Sequence, residues 1–444
     1  MSMRRSTKIA IVFTGSVIAC LALLAATPAR IHAYQPDYRE LQLFRKVVER
    51  IQKDYVREVD DKELIQGAIN GMLQSLDPYS CYLPAELFKE LQNEPKDDFG
   101  DVGMDLSLEN GILTVVSPIE DTPAYLAGLM PGDKIAKIDG EQTKNITVAQ
   151  ASKQMRGPKG TKVTLSIVRP GKKPEDVTLT REPIHVQSVR TQILGDGYAY
   201  IRVVDFQPDT AKHLADAVKK LASGGNVKGV VLDLRNNPGE VLEQAVKVSN
   251  LFLDKGLVVY TDGRNSALQK VFHASPAGFH YKFRLAVLIN EGTAGASEVV
   301  AGCLQDHRRA LLLGSKSYGK GSEQMTIPLE NGGALRLTTA YYYTPRGRHI
   351  QKMGILPDLD LKKELDKQKE ADAAKEKKEK TKKLQPARID PTTDLTVSKA
   401  LAWLKSKQSV DEFRNEHESA TAQDTAWYLK KDEDQKLPRV PVPE

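Results

Sequence analysis

Three cysteines in 444 residues are too few for a disulfide framework, and none has the spacing of a metal site. There is no HExxH helix and no paired cysteine, so the common zinc arrangements are excluded. The eight histidines are scattered; none stands in a recognisable setting for a Ser-His-Asp triad, and His307 in "QDHRR" reads as a solvated or dipole-paired helix end. Charge of one sign is also scarce. The net +6 is modest and part of it comes from a lysine-rich stretch near the C-terminus, which gives no support for a nucleic-acid surface. "GSKSYGKGS" matches a phosphate loop at Gly314, Gly319 and Lys320, but Gly321 stands where Ser or Thr should reach magnesium, and the following "SEQMTIPL" reads as extended instead of helical. Nucleotide hydrolysis is thereby set aside. No internal repeat is found.

One long apolar run is present. A basic "MSMRRSTK" precedes the 18 uncharged residues Ile9–Ala26, the pattern of a secretory signal or an N-terminal membrane anchor over residues 1–33. "VIAC", ending at Cys20, resembles a lipoprotein box, although the apolar residues after it argue against that reading. The expectation is export across the cytoplasmic membrane to a periplasmic or other extracytoplasmic site, with cleavage, lipidation or retention left open. Cys81 and Cys303 read as two unpaired, partly buried thiols.

The rest divides by pattern. Residues 38–97 are helical, with Leu64, Ile65, Ala68, Ile69 and Leu73 at three- and four-residue spacing marking one buried face. Residues 98–183 change to short β-branched runs with Pro-Gly and Asp-Gly turns and one evident helix, a β-rich module. Over residues 184–361 strands and helices alternate, which implies an α/β domain with a largely parallel sheet. Function in such sheets gathers at the carboxyl ends of strands, where the turns Asn236–Glu240 and Gly292–Ala296 lie. Residues 362–392 are a charged linker, and 393–444 hold a short amphipathic segment and a polar tail.

The motifs "DLRNNPG", "GTAGASE…GCLQDHRRA", "SYGKGSEQ" and "LRLTTAYYYTPRGRHIQKMGILPD", in this order, resemble the C-terminal processing (tail-specific) proteases. "ELIQGAINGMLQSLDPYSCYL" looks like their N-terminal helical unit and "GLMPGDKIAKIDG" like their PDZ domain, so the likeness covers residues 40–361. It implies an exported serine endopeptidase with a Ser-Lys dyad, acting near unstructured C-termini and needing no metal or organic cofactor. By position, Lys320 would be the general base, Gln324 would orient it, Asp306 would support, and the Ala296 N–H would serve the oxyanion hole. A base of this kind works as the neutral amine, which burial in apolar surroundings favours by lowering the lysine pKa.

The nucleophile departs from the pattern. The family's serine stands 25 residues before the lysine, which is Gly295 here; Ser297 matches the second, non-catalytic serine of the motif. Two residues on a helix rotate a side chain by about 200°, so Ser297 is expected to point away as a capping or packing residue and to replace the nucleophile only if the turn shifts. Glu240 also stands where the family has a glycine: either it strains a position suited to positive φ or close backbone approach and sets a carboxylate against a developing oxyanion, or it merely points to solvent. In the PDZ-like module, Val102, Gly103 and Met104 are the candidate carboxylate loop, supplying backbone donors and an apolar wall. Leu126 and Ile138 read as core before groove. Two functions therefore fit: an endopeptidase guided by its PDZ module, favoured by Lys320 and Gln324, and a catalytically impaired relative that binds C-termini, a partner protease or an adaptor, favoured by Gly295 and Glu240. Membrane attachment through the N-terminal segment and oligomerisation stay open in both.

Overall fold

The computed structural model describes residues 38–93, 99–144, 146–184, 186–225, 227–277, 281–368 and 390–417. The export segment, most of the charged linker and the tail beyond His417 lie outside the described residues. Among those described, no helix is long and apolar enough to cross a membrane. The chain forms two compact units, divided between Ile65 and Gln66.

The first unit contains the helix Tyr38–Asp54 and the start of the helix Asp61–Gln74. Arg45–Glu49 and Arg50–Asp54 are ion pairs one turn apart on its exposed surface. The expected apolar stripe of the second helix is only partly covered: Leu73 is buried, Leu64, Ala68 and Ile69 are half-buried, and Ile65 is exposed. Burial rises toward the end that carries Asn70, whose side chain accepts the Tyr82 N–H at 3.1 Å.

Tyr82 belongs to a strand, Cys81–Leu83, that the helical reading of residues 38–97 did not anticipate. Three residues carry no period of their own; the strand exists because it pairs with Ala334–Tyr343. That long strand also pairs with Ser322–Pro328 and Leu257–Asp262, and Lys270–His273 completes an antiparallel sheet that the alternation of strands and helices had not revealed.

The β-rich module is a sheet of antiparallel strands, Met104–Glu109, Ile112–Pro118, Lys134–Ile138, Lys162–Val168 and Glu175–Thr180, with the helix Val148–Met155 packed on it. Thr147 caps that helix through a reciprocal bond with Gln150. Val102, Leu113, Ile135, Ile138 and Leu165 fill the core, while Leu126 is exposed at 46 %.

The parallel sheet expected over residues 184–361 is present. Strands Tyr198–Val203, Gly229–Asp233, Arg284–Ile289, Leu311–Gly314 and Leu359–Asp360 run parallel, and Val189–Gly195 pairs antiparallel at the first edge. Successive residues face opposite sides. Val230, Leu232, Leu285 and Val287 pack beneath the helices Thr210–Ser223, Leu242–Asn250 and Ala296–Asp306. Val231, Ala286, Leu288 and Leu313 pack against Val397, Ala400, Trp403 and Leu404 of the helix Leu395–Lys405. Each such buried Val or Leu side chain is worth about 1.5–3 kcal/mol, and both faces are covered as a parallel sheet requires. Cys81 and Cys303 are buried and, among the described residues, unpaired.

Candidate active site

The strand Arg284–Ile289 passes through a tight turn into the helix Ala296–Asp306. Asn290 and Thr293 shape the turn: the Thr293 hydroxyl donates to the Leu234 carbonyl at 2.9 Å, and the Asn290 side chain exchanges hydrogen bonds with Asn236 at 2.8 and 2.7 Å. Gly295 sits at φ 58°, ψ −121°, a sharp strand-to-helix elbow of the kind that presents a nucleophile. Here it presents none. A Cβ at position 295 would overlap the Gly239 carbonyl oxygen and lie 2.8 Å from that of Pro238, so the volume a side chain would occupy is filled by the neighbouring main chain. The same Gly239 oxygen accepts the Ala296 N–H at 2.9 Å. The donor expected to stabilise an oxyanion is therefore already engaged.

The loop that supplies this carbonyl is Asn236–Glu240. Asn237 braces it by donating to the Val203 carbonyl at 2.8 Å and accepting the Gly239 N–H at 3.0 Å. Positive φ occurs at Asn236 (48°) and Gly239 (39°) but not at Glu240. The glutamate therefore meets no backbone strain, which fits the solvent-facing reading of this position and not the strained one. Its side chain is exposed on the wall of the cleft.

Ser297 is fully buried in the first turn of the helix, and its hydroxyl has no hydrogen-bond partner among the described residues. It packs; it does not cap, and it does not bond to Lys320. Asp306 lies at the far end of the same helix, about 15 Å from Ala296 at 1.5 Å per residue. It accepts the Arg346 N–H at 2.9 Å and pairs with Arg348 at 2.5 Å, holding the turn after the strand Ala334–Tyr343. Its support is thus to the scaffold.

Lys320 shares a cleft of about 500 Å³ with Gly295, Ala296, Glu240 and Gln324. Its Nζ lies 2.7 Å from Asp105 Oδ2, on the first long strand of the β-rich module, and 5.8 Å from the Tyr79 ring. Burial is the largest single influence and favours the neutral amine, but Asp105, by charge and hydrogen bond, and Glu240 together outweigh it, so the pKa is raised. This corrects the expectation of a lowered value: the surroundings are carboxylates, not apolar groups. The Gln324 amide donates to the hydroxyls of Ser322 at 2.9 Å and Thr338 at 3.2 Å.

Glu298 was not singled out from the sequence, yet it joins the two halves of the site. It is fully buried, with Oε2 accepting from Gly295 N (3.0 Å) and Lys320 N (2.8 Å), and Oε1 from Gly319 N (2.7 Å) and Ser317 Oγ (2.5 Å). Burial pushes its pKa up to about 7 in spite of these four donors. Its place three residues into the helix, the position of a reciprocal capping acid, was the available signal.

The opposite wall of the cleft is the groove between Met104–Glu109 and the helix Val148–Met155. At its end, Asp101 Oδ1 accepts the N–H groups of Val102 (2.6 Å) and Gly103 (3.4 Å), while Oδ2 pairs with Arg156 Nε at 2.9 Å. Two successive amides and an arginine thus hold a carboxylate belonging to the chain itself. Gly103 is required at φ 76°, since a Cβ there would overlap Thr122. Met104 is half-buried on the groove wall, whereas the Val102 side chain is wholly in the module core.

Residues 197–361 match the model of "Peptidase family S41", residues 114–169 a PDZ domain, and residues 25–87 the "Activating protease CtpB N-terminal domain". A carboxy-terminal-processing protease of Bartonella bacilliformis is 44% identical over 356 residues, covering 79% of this chain and 82% of that protein. Carboxy-terminal processing protease CtpA of Bacillus subtilis is 37% identical over 315 residues, covering 71% of this chain and 67% of that one. Among solved structures, a photosystem II D1 C-terminal processing protease superposes with a TM-score of 0.63 at 28% identity, over 73% of this chain and 88% of the other.

Proposed function

The chain belongs to peptidase family S41, the carboxy-terminal processing proteases, and with that as premise we propose that it is a member that captures C-termini without cutting them. The observation that carries this reading is the turn at Gly295. Hydrolysis of a peptide bond through a Ser-Lys dyad needs a hydroxyl at the elbow, a neutral lysine beside it and a free N–H for the oxyanion. At this elbow a main-chain carbonyl fills the hydroxyl's place and engages the Ala296 N–H. Lys320 is held as an ammonium by Asp105, and an ammonium has no lone pair with which to take a proton.

The PDZ groove keeps what binding requires. Arg156 and the amides of Val102 and Gly103 hold a carboxylate, and Met104, Leu106 and Met155 line the groove beside it. Their ligand is an unstructured peptide with a free C-terminal carboxylate, entering as an added strand along Met104–Glu109. Residues 1–33 support an exported protein that meets such C-termini outside the cytoplasm and passes them to a partner protease or withholds them from one.

Hydrolysis after rearrangement, with Ser297 as nucleophile, is the second reading. It is favoured by Lys320 and Gln324 remaining together in the cleft. One pair of assays separates the two. A fluorescein-labelled unstructured peptide with a free terminal carboxylate should bind, its C-terminal amide should bind at least about tenfold more weakly, since a hydrogen-bonded charge is worth about 1.5–3 kcal/mol, and an unfolded protein should stay intact. Cleavage by the wild type that both Ser297→Ala and Lys320→Ala abolish would overturn the proposal.

A further inference from the structure

A second set of buried charges links the PDZ domain to the cleft loop. Glu120 follows the PDZ strand Ile112–Pro118 and is 4 % exposed. Its Oε1 accepts from Arg190 at 2.5 Å and its Oε2 from Arg202 Nε at 3.0 Å; both arginines belong to the protease-type sheet. Arg190 also pairs with Asp121. Arg202, itself buried, continues inward: its Nη1 lies 3.6 Å from Asp233 Oδ1 and donates to the Asp233 carbonyl at 3.3 Å. Asp233 accepts the Arg235 N–H at 2.9 Å and the Arg235 guanidinium at 2.6 Å, and receives the Tyr200 hydroxyl at 2.8 Å. Arg235 ends on Asp394 at 2.9 Å, the N-cap of the helix Leu395–Lys405.

The residue after Arg235 is Asn236, where the cleft loop begins. A second contact leads to the same loop: Arg202 Nη1 donates to the Val203 carbonyl at 3.4 Å, the oxygen that also receives the Asn237 side chain. Removing one partner from a buried ionic network leaves the others uncompensated, so they must move or recruit water. Here the groups that must move are the two anchors of the loop that places the Gly239 carbonyl on Ala296.

We infer that Glu120 is a positioning residue for the loop Asn236–Glu240, acting from the PDZ domain through Arg202 and Asp233. This inference does not depend on whether the chain cleaves or binds peptides, and its test uses neither property.

The test is amide hydrogen exchange on the full chain, comparing wild type, Glu120→Gln and Glu120→Asp. Arg169→Met is the control, because Arg169–Asp133 is a partly buried ion pair confined to the PDZ domain. Glu120→Gln should speed exchange at Gly239 and Ala296, whose N–H groups are bonded within and to the loop, by at least about tenfold, while strands Tyr198–Val203 and Gly229–Asp233 keep their protection. Glu120→Asp, which keeps the charge on a shorter arm, should fall between, and the control should leave these amides unchanged. If Glu120→Gln does not fold, Arg190→Met tests the same link from its outer end. Wild-type exchange in the loop, acceleration spread evenly over the sheet, or equal acceleration in the control would overturn the inference.

Discussion

The two glycine turns that face each other across the cleft are both occupied by an oxygen of the chain itself, but in different ways. At Val102 and Gly103 the occupant is the Asp101 carboxylate, on a side chain paired with a partly exposed Arg156. At Ala296 it is the Gly239 carbonyl, set in a loop that Asn237, Asn290 and the Asp233–Arg235 pair hold from three sides. Rotation of one side chain vacates the first site, whereas the second is vacated only by moving main chain. A placeholder of the first kind is compatible with binding. One of the second kind has become part of the fold.

This contrast can be broken first at Glu298, which ties the Gly295 turn to Lys320. Its folded pKa, about 7, lies above the usual 4.5. The folded state therefore favours the protonated acid, and that contribution is complete below about pH 4.5 and lost as pH rises through about 7. At about 1.4 kcal/mol per unit the change is on the order of 3 kcal/mol. Urea unfolding at a series of pH values should record this fall in the wild type, and Glu298→Gln should remove it. An unchanged slope in the variant would assign the titration elsewhere.

The next break is at Gly295 itself. Gly295→Ser and Gly295→Ala both place a Cβ on the Gly239 carbonyl at positive φ, and each should cost about 1–3 kcal/mol by thermal unfolding. The equality is the sharp point, because the penalty belongs to the Cβ and not to the hydroxyl. Gly295→Ser should still leave an unfolded protein uncut. Restored cleavage would mean that the loop yields more easily than its hydrogen bonds imply.

The smallest effect is expected on the opposite wall. Asp101→Ala releases Arg156 and two amides, so the peptide should bind severalfold more tightly, while stability changes by less than about 1 kcal/mol because this pair is partly exposed. Fluorescence anisotropy and thermal unfolding read the two quantities separately. Weaker binding would make Asp101 a part of the receptor and not its placeholder.

The parallel sheet was legible because its central strands, Gly229–Asp233, Arg284–Ile289 and Leu311–Gly314, are β-branched or leucine-rich runs ending in a turn, and the gap at 295 was legible by counting back from Lys320. The strand Cys81–Leu83 was not, since its structure comes from pairing with residues more than 250 positions away. The Asp105–Lys320 pair, 215 residues apart, and the Glu120–Arg202 pair, 82 apart, depend on how one domain is seated on another. No local pattern carries that information. Glu298 could have been read from its position in the helix. Its raised pKa could not, because that follows from complete burial.

The helix Leu395–Lys405 has a consequence for the order in which the protein is made. The stretch that matches the S41 model ends at residue 361, yet Trp403 and Leu404 close the far face of the sheet, and Asp394 holds Arg235 at the root of the cleft loop. Synthesis proceeds from the N-terminus, and domains generally fold as they emerge. For as long as the residues beyond 361 are still being added, the sheet has one wet face and the cleft loop lacks an anchor. The site is thus completed from behind, by a segment that is made after the sheet it closes.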